Sequence, residues 1–221
     1  MLKPLCGMSH GSTGIALALA TLGNAAGQAR FTDAAKATLE YEASVFSEER
    51  ANWPDFRIDL FPIPGKVYTE EDVGYMASWC HGATGMAHAR LAMRGVDGPG
   101  VRRDIEVGVG TTLREGFGRS HCLCHGDAGN LEFLAEAARA LRDDGLAAKV
   151  RVGAAALLEE IERDGYHCGV PAGVEAPGLM VGVAGIGYGL LRLARPELVP
   201  PVLTLGPASR EGQSIRVKIA A

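Results

Sequence analysis

Ser78-Trp79-Cys80-His81-Gly82-Ala83-Thr84-Gly85 leads into the helical pattern Met86-Ala87-His88-Ala89-Arg90-Leu91, and its last five residues are one copy of a repeat. His10-Gly11-Ser12-Thr13-Gly14 precedes Ile15-Ala16-Leu17-Ala18-Leu19, and His125-Gly126-Asp127-Ala128-Gly129 precedes Asn130 to Ala138. A fourth copy, Val181-Gly182-Val183-Ala184-Gly185, opens Ile186 to Leu193. The copies start 71, 44 and 56 residues apart. A recurring unit of this size is the mark of a repeat architecture. The glycine pair permits a tight turn and close approach of the helix, and the Ser, Thr or Asp between the glycines is suited to cap it.

Between the copies lie second helical stretches, Phe31 to Ser47, Val101 to Phe117 and Leu146 to Asp164. In the first of them Ala34, Ala37, Thr38, Tyr41 and Val45 recur at helical spacing, with Lys36, Glu40 and Glu42 on other faces. The first helix of each unit is rich in small residues, as an inner crowded layer requires, and the second is amphipathic, as an outer layer requires. The fold expected is therefore all-α, a two-layer array of helix pairs. Val199 to Leu205 and Ser214 to Ile219 are short strand candidates, and Asn52 to Asp72, with Pro54, Pro62, Pro64 and Gly65, reads as a long loop.

Composition agrees with a packed domain. The 221 residues are 47% hydrophobic and 22% charged, and 22 basic residues against 26 acidic ones leave a net charge of −4. Lysine and arginine are scattered, which excludes the electrostatic footprint of nucleic-acid or anionic-membrane binding. The longest apolar run, Gly178 to Leu191, is too short and too glycine-rich for a membrane span. Five cysteines, an odd number in a chain of this size, read as reduced thiols and point to a cytoplasmic protein.

Cys80-His81 and Cys124-His125 occupy the same place in two repeats, so stacking the repeats brings them to one level. Cysteine and histidine are preferred zinc ligands, and three protein ligands would leave a fourth position open for substrate. Buried cysteines that merely pack as small hydrophobes fit the same spacing, so spacing alone leaves both readings open.

Ser78 to Gly85, Cys124-His125-Gly126 and Pro177 to Tyr188 resemble the signature segments of the lanthionine synthetase C-like family. More narrowly they are similar to the C-terminal cyclase domain of class II lanthipeptide synthetases, with support from Asn52 to Arg57 and Leu198 to Leu205. The resemblance covers nearly the whole chain. It implies an α/α toroid of helix pairs and a Zn2+ ion held by Cys80, Cys124 and His125. It also implies a dehydrated precursor peptide as substrate, whose cysteine thiolate adds to dehydroalanine or dehydrobutyrine and closes a thioether ring. His10 corresponds to the family's general acid. His81 is expected to assist proton transfer or to hold a hydrogen bond behind the ligands.

The chain carries four of the family's seven repeats, so residues 1–221 read as the C-terminal part of such a domain. Completion of the toroid by a preceding portion or a second chain is implied. Met76 stands where some members carry an arginine four residues before the first ligand cysteine. The alternative reading is a non-catalytic helical-repeat module, or truncated relic, that binds zinc or a peptide without turnover.

Overall fold

In a computed structural model the described residues are 3–59, 69, 72–93, 95, 96, 99–171 and 174–206. Among these residues seven α-helices carry the fold: α1 Ser12–Ala26, α2 Ala29–Ser44, α3 Ala83–Ala92, α4 Pro99–Glu115, α5 Asp127–Leu141, α6 Asp144–Asp164 and α7 Val183–Ala194. Helices α1, α3, α5 and α7 follow the four motif copies and pack side by side in that order, while α2, α4 and α6 back them from the outside. This is the two-layer array expected from the repeats.

The motif glycines are required by contact. The second glycine of each copy lies against the carbonyl six residues earlier. A Cβ on Gly85 would stand 1.8 Å from the Trp79 oxygen, and one on Gly129 1.9 Å from that of Leu123. The capping expectation is corrected. Gly11, Gly82, Gly126 and Gly182 are the N-caps, and none of these helices has a side-chain cap. The first free N–H groups are met instead by the folded-back loop. Ser12 N–H donates to Leu5 O (2.7 Å), Asp127 N–H to Ser120 O (2.8 Å) and Val183 N–H to Ala176 O (2.8 Å). In the second repeat the acceptor is the buried Asn52 side chain, which takes the Ala83 N–H at 2.8 Å.

The loops also bond to one another. Ser9 N–H donates to Cys80 O (3.1 Å), Cys80 N–H to Cys124 O (3.1 Å) and Cys124 N–H to Met180 O (2.8 Å). These four residues are equivalent in the four copies, so one backbone ladder runs across the array and holds the repeats level.

Two details differ from the sequence expectation. On α2, Tyr41 and Val45 pack against the core as expected while Ala34 and Ala37 are exposed, and the packed side also takes in Ala35, Leu39 and Glu42, the last of these wholly buried. Its carboxylate accepts from Ser12 Oγ (2.5 Å), Thr13 Oγ1 (2.6 Å) and Arg90 Nη2 (2.5 Å), which joins α2 to α1 and α3. The insert is not all loop. Pro54–Asp55 (β1) pairs antiparallel with Gly74–Tyr75 (β2), and a 3-10 turn spans Phe56–Asp59. Of the two terminal strand candidates, the first holds a 3-10 turn, Val202–Thr204, and Ser214 to Ile219 lies outside the described residues. Among the described residues no helix is long and apolar enough to cross a membrane.

Candidate metal centre

The ladder sets Cys80 and Cys124 at the same height in the loops before the neighbouring inner helices α3 and α5, and His125 follows directly. One ligand atom from each of Cys80, Cys124 and His125 lies within 4.8 Å of the others. That spacing allows all three to reach bonding distance, about 2.0–2.3 Å, of a single ion.

The donor set fits zinc chemically. His125 Nε2 is 3.0 Å from Gly169 O, so it carries a proton to that carbonyl and leaves Nδ1 for the centre. Gly169 must be a glycine for this contact, because a Cβ there would stand 2.5 Å from Cys122 Sγ and 2.8 Å from His125 Nε2. The hydrogen bond from Cys124, helped by His125 against burial, pulls the Cys80 thiol down to about 4. Its counterpart pushes Cys124 up, because the second sulfur keeps the proton that the first gives up. The hydrogen bond to Cys80 likewise raises His125. The centre thus holds an anionic sulfur within a small set of shared protons, and a divalent cation would take the place of those protons.

His10 and His81 flank this trio differently. His10 is exposed on the turn before α1 and interacts electrostatically with Cys80 and His81, while standing outside the ligand set. His81 is fully buried, with Nε2 3.7 Å from Asp55 Oδ1 and both ring nitrogens without a hydrogen-bond partner. Burial lowers its basicity, and Asp55 opposes that.

Two residues that sequence reasoning missed stand beside the trio. Asp55 and Arg57, read as loop, form a bidentate pair in which Arg57 Nε donates to Oδ1 (2.8 Å) and Oδ2 (2.9 Å). The Arg57 guanidinium interacts electrostatically with both Cys80 and Cys124, and its Nη2 is 3.1 Å from Met76 Sδ. The charged Asp55-Phe56-Arg57 triplet within a proline-rich insert was the available signal.

Among the described residues two other groups have metal-like composition, and chemistry sets both apart. His121 Nδ1 accepts from the His167 N–H (3.0 Å), so Nε2 carries the proton; it stands 3.3 Å from Glu160 Oε1 without hydrogen-bonding to it. No lone pair remains there for an ion. The buried His88, Glu132 and Glu136 group already has a cation, Arg192, with Nε 3.4 Å from Glu132 and Nη2 on Glu136. Cys122 is buried, takes a 3.4 Å contact from Ser120 Oγ and is outside the ligand trio.

Residues 2–204 match the family of lanthionine synthetase C-like proteins. A curated relative, the lacticin 481/lactococcin biosynthesis protein of Lactococcus lactis subsp. lactis, is 28% identical over 66% of this chain, which spans 16% of that protein. Among solved structures, nisin cyclase superposes with a TM-score of 0.61 at 18% identity, covering 87% of this chain and 47% of its own. The shared fold is all-α with inner and outer helices, and the chain spans under half of that structure. Motif, fold and family match coincide: the chain belongs to the lanthionine synthetase C-like family.

Proposed function

We propose that the chain is the cyclase portion of a lanthipeptide synthetase and forms thioether rings in a dehydrated precursor peptide. The observation that carries this reading is the convergence of Cys80, Cys124 and His125 to within 4.8 Å at one end of the inner helices. Cys80, Cys124 and His125 would hold a zinc ion, which would supply the positive charge that favours the thiolate form of a substrate cysteine. Gly169 keeps His125 in the tautomer that offers Nδ1, and the buried surroundings of Cys80 exclude water from the sulfur.

The substrate thiolate then attacks the β-carbon of a dehydroalanine or dehydrobutyrine. A carbon–sulfur bond forms, the double bond opens, and its electron pair moves onto the adjoining carbonyl as an enolate. The α-carbon must next take a proton. His10 is the donor in this scheme because its exposed imidazole lies beside the trio and can be recharged from solvent. His81, buried against Asp55, supports the wall behind Cys80 and does not meet the peptide.

Elemental analysis of the purified chain is expected to give one zinc per chain, lost in Cys80→Ala and in Cys124→Ala and kept in Cys6→Ala. Zinc retained in both ligand variants would overturn the site. Turnover of a dehydrated peptide, followed by loss of free thiol, separates the cyclase from a zinc-holding module that binds peptide without closing rings.

A further inference from the structure

The insert between the first two repeats does more than fill space, because three sets of contacts fasten it to the loop that carries Cys80. Asn52 accepts the Ala83 N–H (2.8 Å) and donates to Met76 O (3.1 Å). The β1–β2 pairing sets Asp55 opposite Gly74, two residues before Met76. Asp55 then grips Arg57 and stands 3.7 Å from His81. The result is an arginine held against Met76, at the level of the two cysteines, with its side chain 31% exposed. Asp55 is 12% exposed and serves as the anchor, its carboxylate 3.7 Å from His81, while the Arg57 charge interacts with both Cys80 and Cys124.

We propose that Arg57, carried on the insert and anchored by Asp55 and Met76, is the positive charge that draws a substrate cysteine to the Cys80–Cys124–His125 centre as its thiolate. The inference rests on the metal reading above and adds a residue to it. A divalent ion with two thiolates and a neutral imidazole has no net charge, so a third thiolate makes the centre anionic. The proton of the incoming thiol passes to solvent, and the charge left on its sulfur needs a counterion that does not compete for the metal. A guanidinium meets this need, since it stays protonated at all working pH values and has no lone pair to offer. A cation near the sulfur lowers the pH at which the thiol ionises. Arg57 is in this sense a positioning residue for the nucleophile.

The test uses the full chain loaded with cobalt(II) and titrated with N-acetylcysteinamide, with the sulfur-to-cobalt charge-transfer absorption followed as a function of pH. In Arg57→Gln the midpoint for thiol uptake is expected to rise by about one pH unit, so that uptake below the midpoint is about tenfold weaker, while cobalt stoichiometry stays at the parental value. Arg57→Lys should stay close to the parent. Asp55→Asn, which removes the countercharge yet leaves an acceptor for Arg57, should move the midpoint the other way. An unchanged midpoint in a fully loaded Arg57→Gln overturns the proposal. Should that variant fail to fold, an unchanged or raised midpoint in Asp55→Asn does the same. A parent chain that takes up no cobalt defeats the metal reading itself, an outcome distinct from a loaded parent whose midpoint ignores Arg57.

Discussion

The two central repeats and the two flanking ones share a motif but not a setting. On α3, Ala83 to Arg90 are all buried, and on α5 the run Asp127 to Leu134 is too. On the flanking helices the same spacing leaves apolar side chains in the open, Ile15 on α1 at 62% exposure and Leu191 on α7 at 60%. The residue before each motif histidine, or its equivalent, tracks the difference. It is Cys80 and Cys124 in the centre, Ser9 and Met180 at the flanks. An inner helix with neighbours on both sides is rigid enough to hold a ligand to the tolerance a metal demands, and at this position of the motif thiols stand only in those two repeats.

The contrast is broken most severely at a motif glycine. Gly129→Ala, which would drive a methyl group into the Leu123 carbonyl, is expected to cost several kcal/mol and to unfold the α5 repeat. Gly187→Ala on α7 meets nothing within 4 Å and is expected to add roughly 0.5–1 kcal/mol of stability through helix propensity. Urea unfolding of both variants reads the two signs directly. Equal effects would mean that a motif glycine is no more tightly packed than a glycine facing open space.

Buried charge in the centre supplies a second, intermediate effect. Burial pushes Glu132 up from 4.5 to about 7, with Arg192 opposing and Glu136 adding to the rise. The folded chain therefore holds this proton more tightly than the unfolded one, and stability falls as pH rises from about 4.5 through 7. His88, brought down to about 4 by burial, works in the other direction and costs stability as pH falls below 6.5. Glu132→Gln is expected to remove the first slope, so that the variant gains on the parent by roughly 1–3 kcal/mol between acid and mildly alkaline buffer. Thermal midpoints at the two pH values check it, and parallel shifts in parent and variant would exclude Glu132 as the source. The smallest effect belongs to the flank, where Leu191→Ser should change the unfolding free energy by less than about 0.5 kcal/mol.

The contrast also explains how far the sequence could be read. The His-Gly-x-x-Gly copies announce their own geometry, since each glycine is needed where backbone meets backbone, and so the helix pairs and the Cys80, Cys124, His125 level were legible. What stayed hidden depends on contacts distant in sequence. Glu42 looks like a surface residue on an amphipathic helix until Arg90, 48 positions on, is seen to neutralise it. Arg57 lies in a segment without periodicity, and only the pairing of β1 with β2 delivers it to Met76. Gly169 must be a glycine so that its carbonyl can approach His125, but that approach joins residues 44 positions apart, so the sequence alone does not show what the glycine is for.

The ladder from Ser9 through Cys80 and Cys124 to Met180 bears on how such a chain lengthens over evolutionary time. Every rung is the same pair of main-chain groups, so a duplicated unit inserted whole finds a partner on either side and leaves no polar group stranded. A change of even one residue between a rung and its helix would shift the following motif out of step. Tandem duplication is therefore tolerated where small insertions are not, and variation in length is directed into segments beyond the rungs, such as the stretch that bears Arg57.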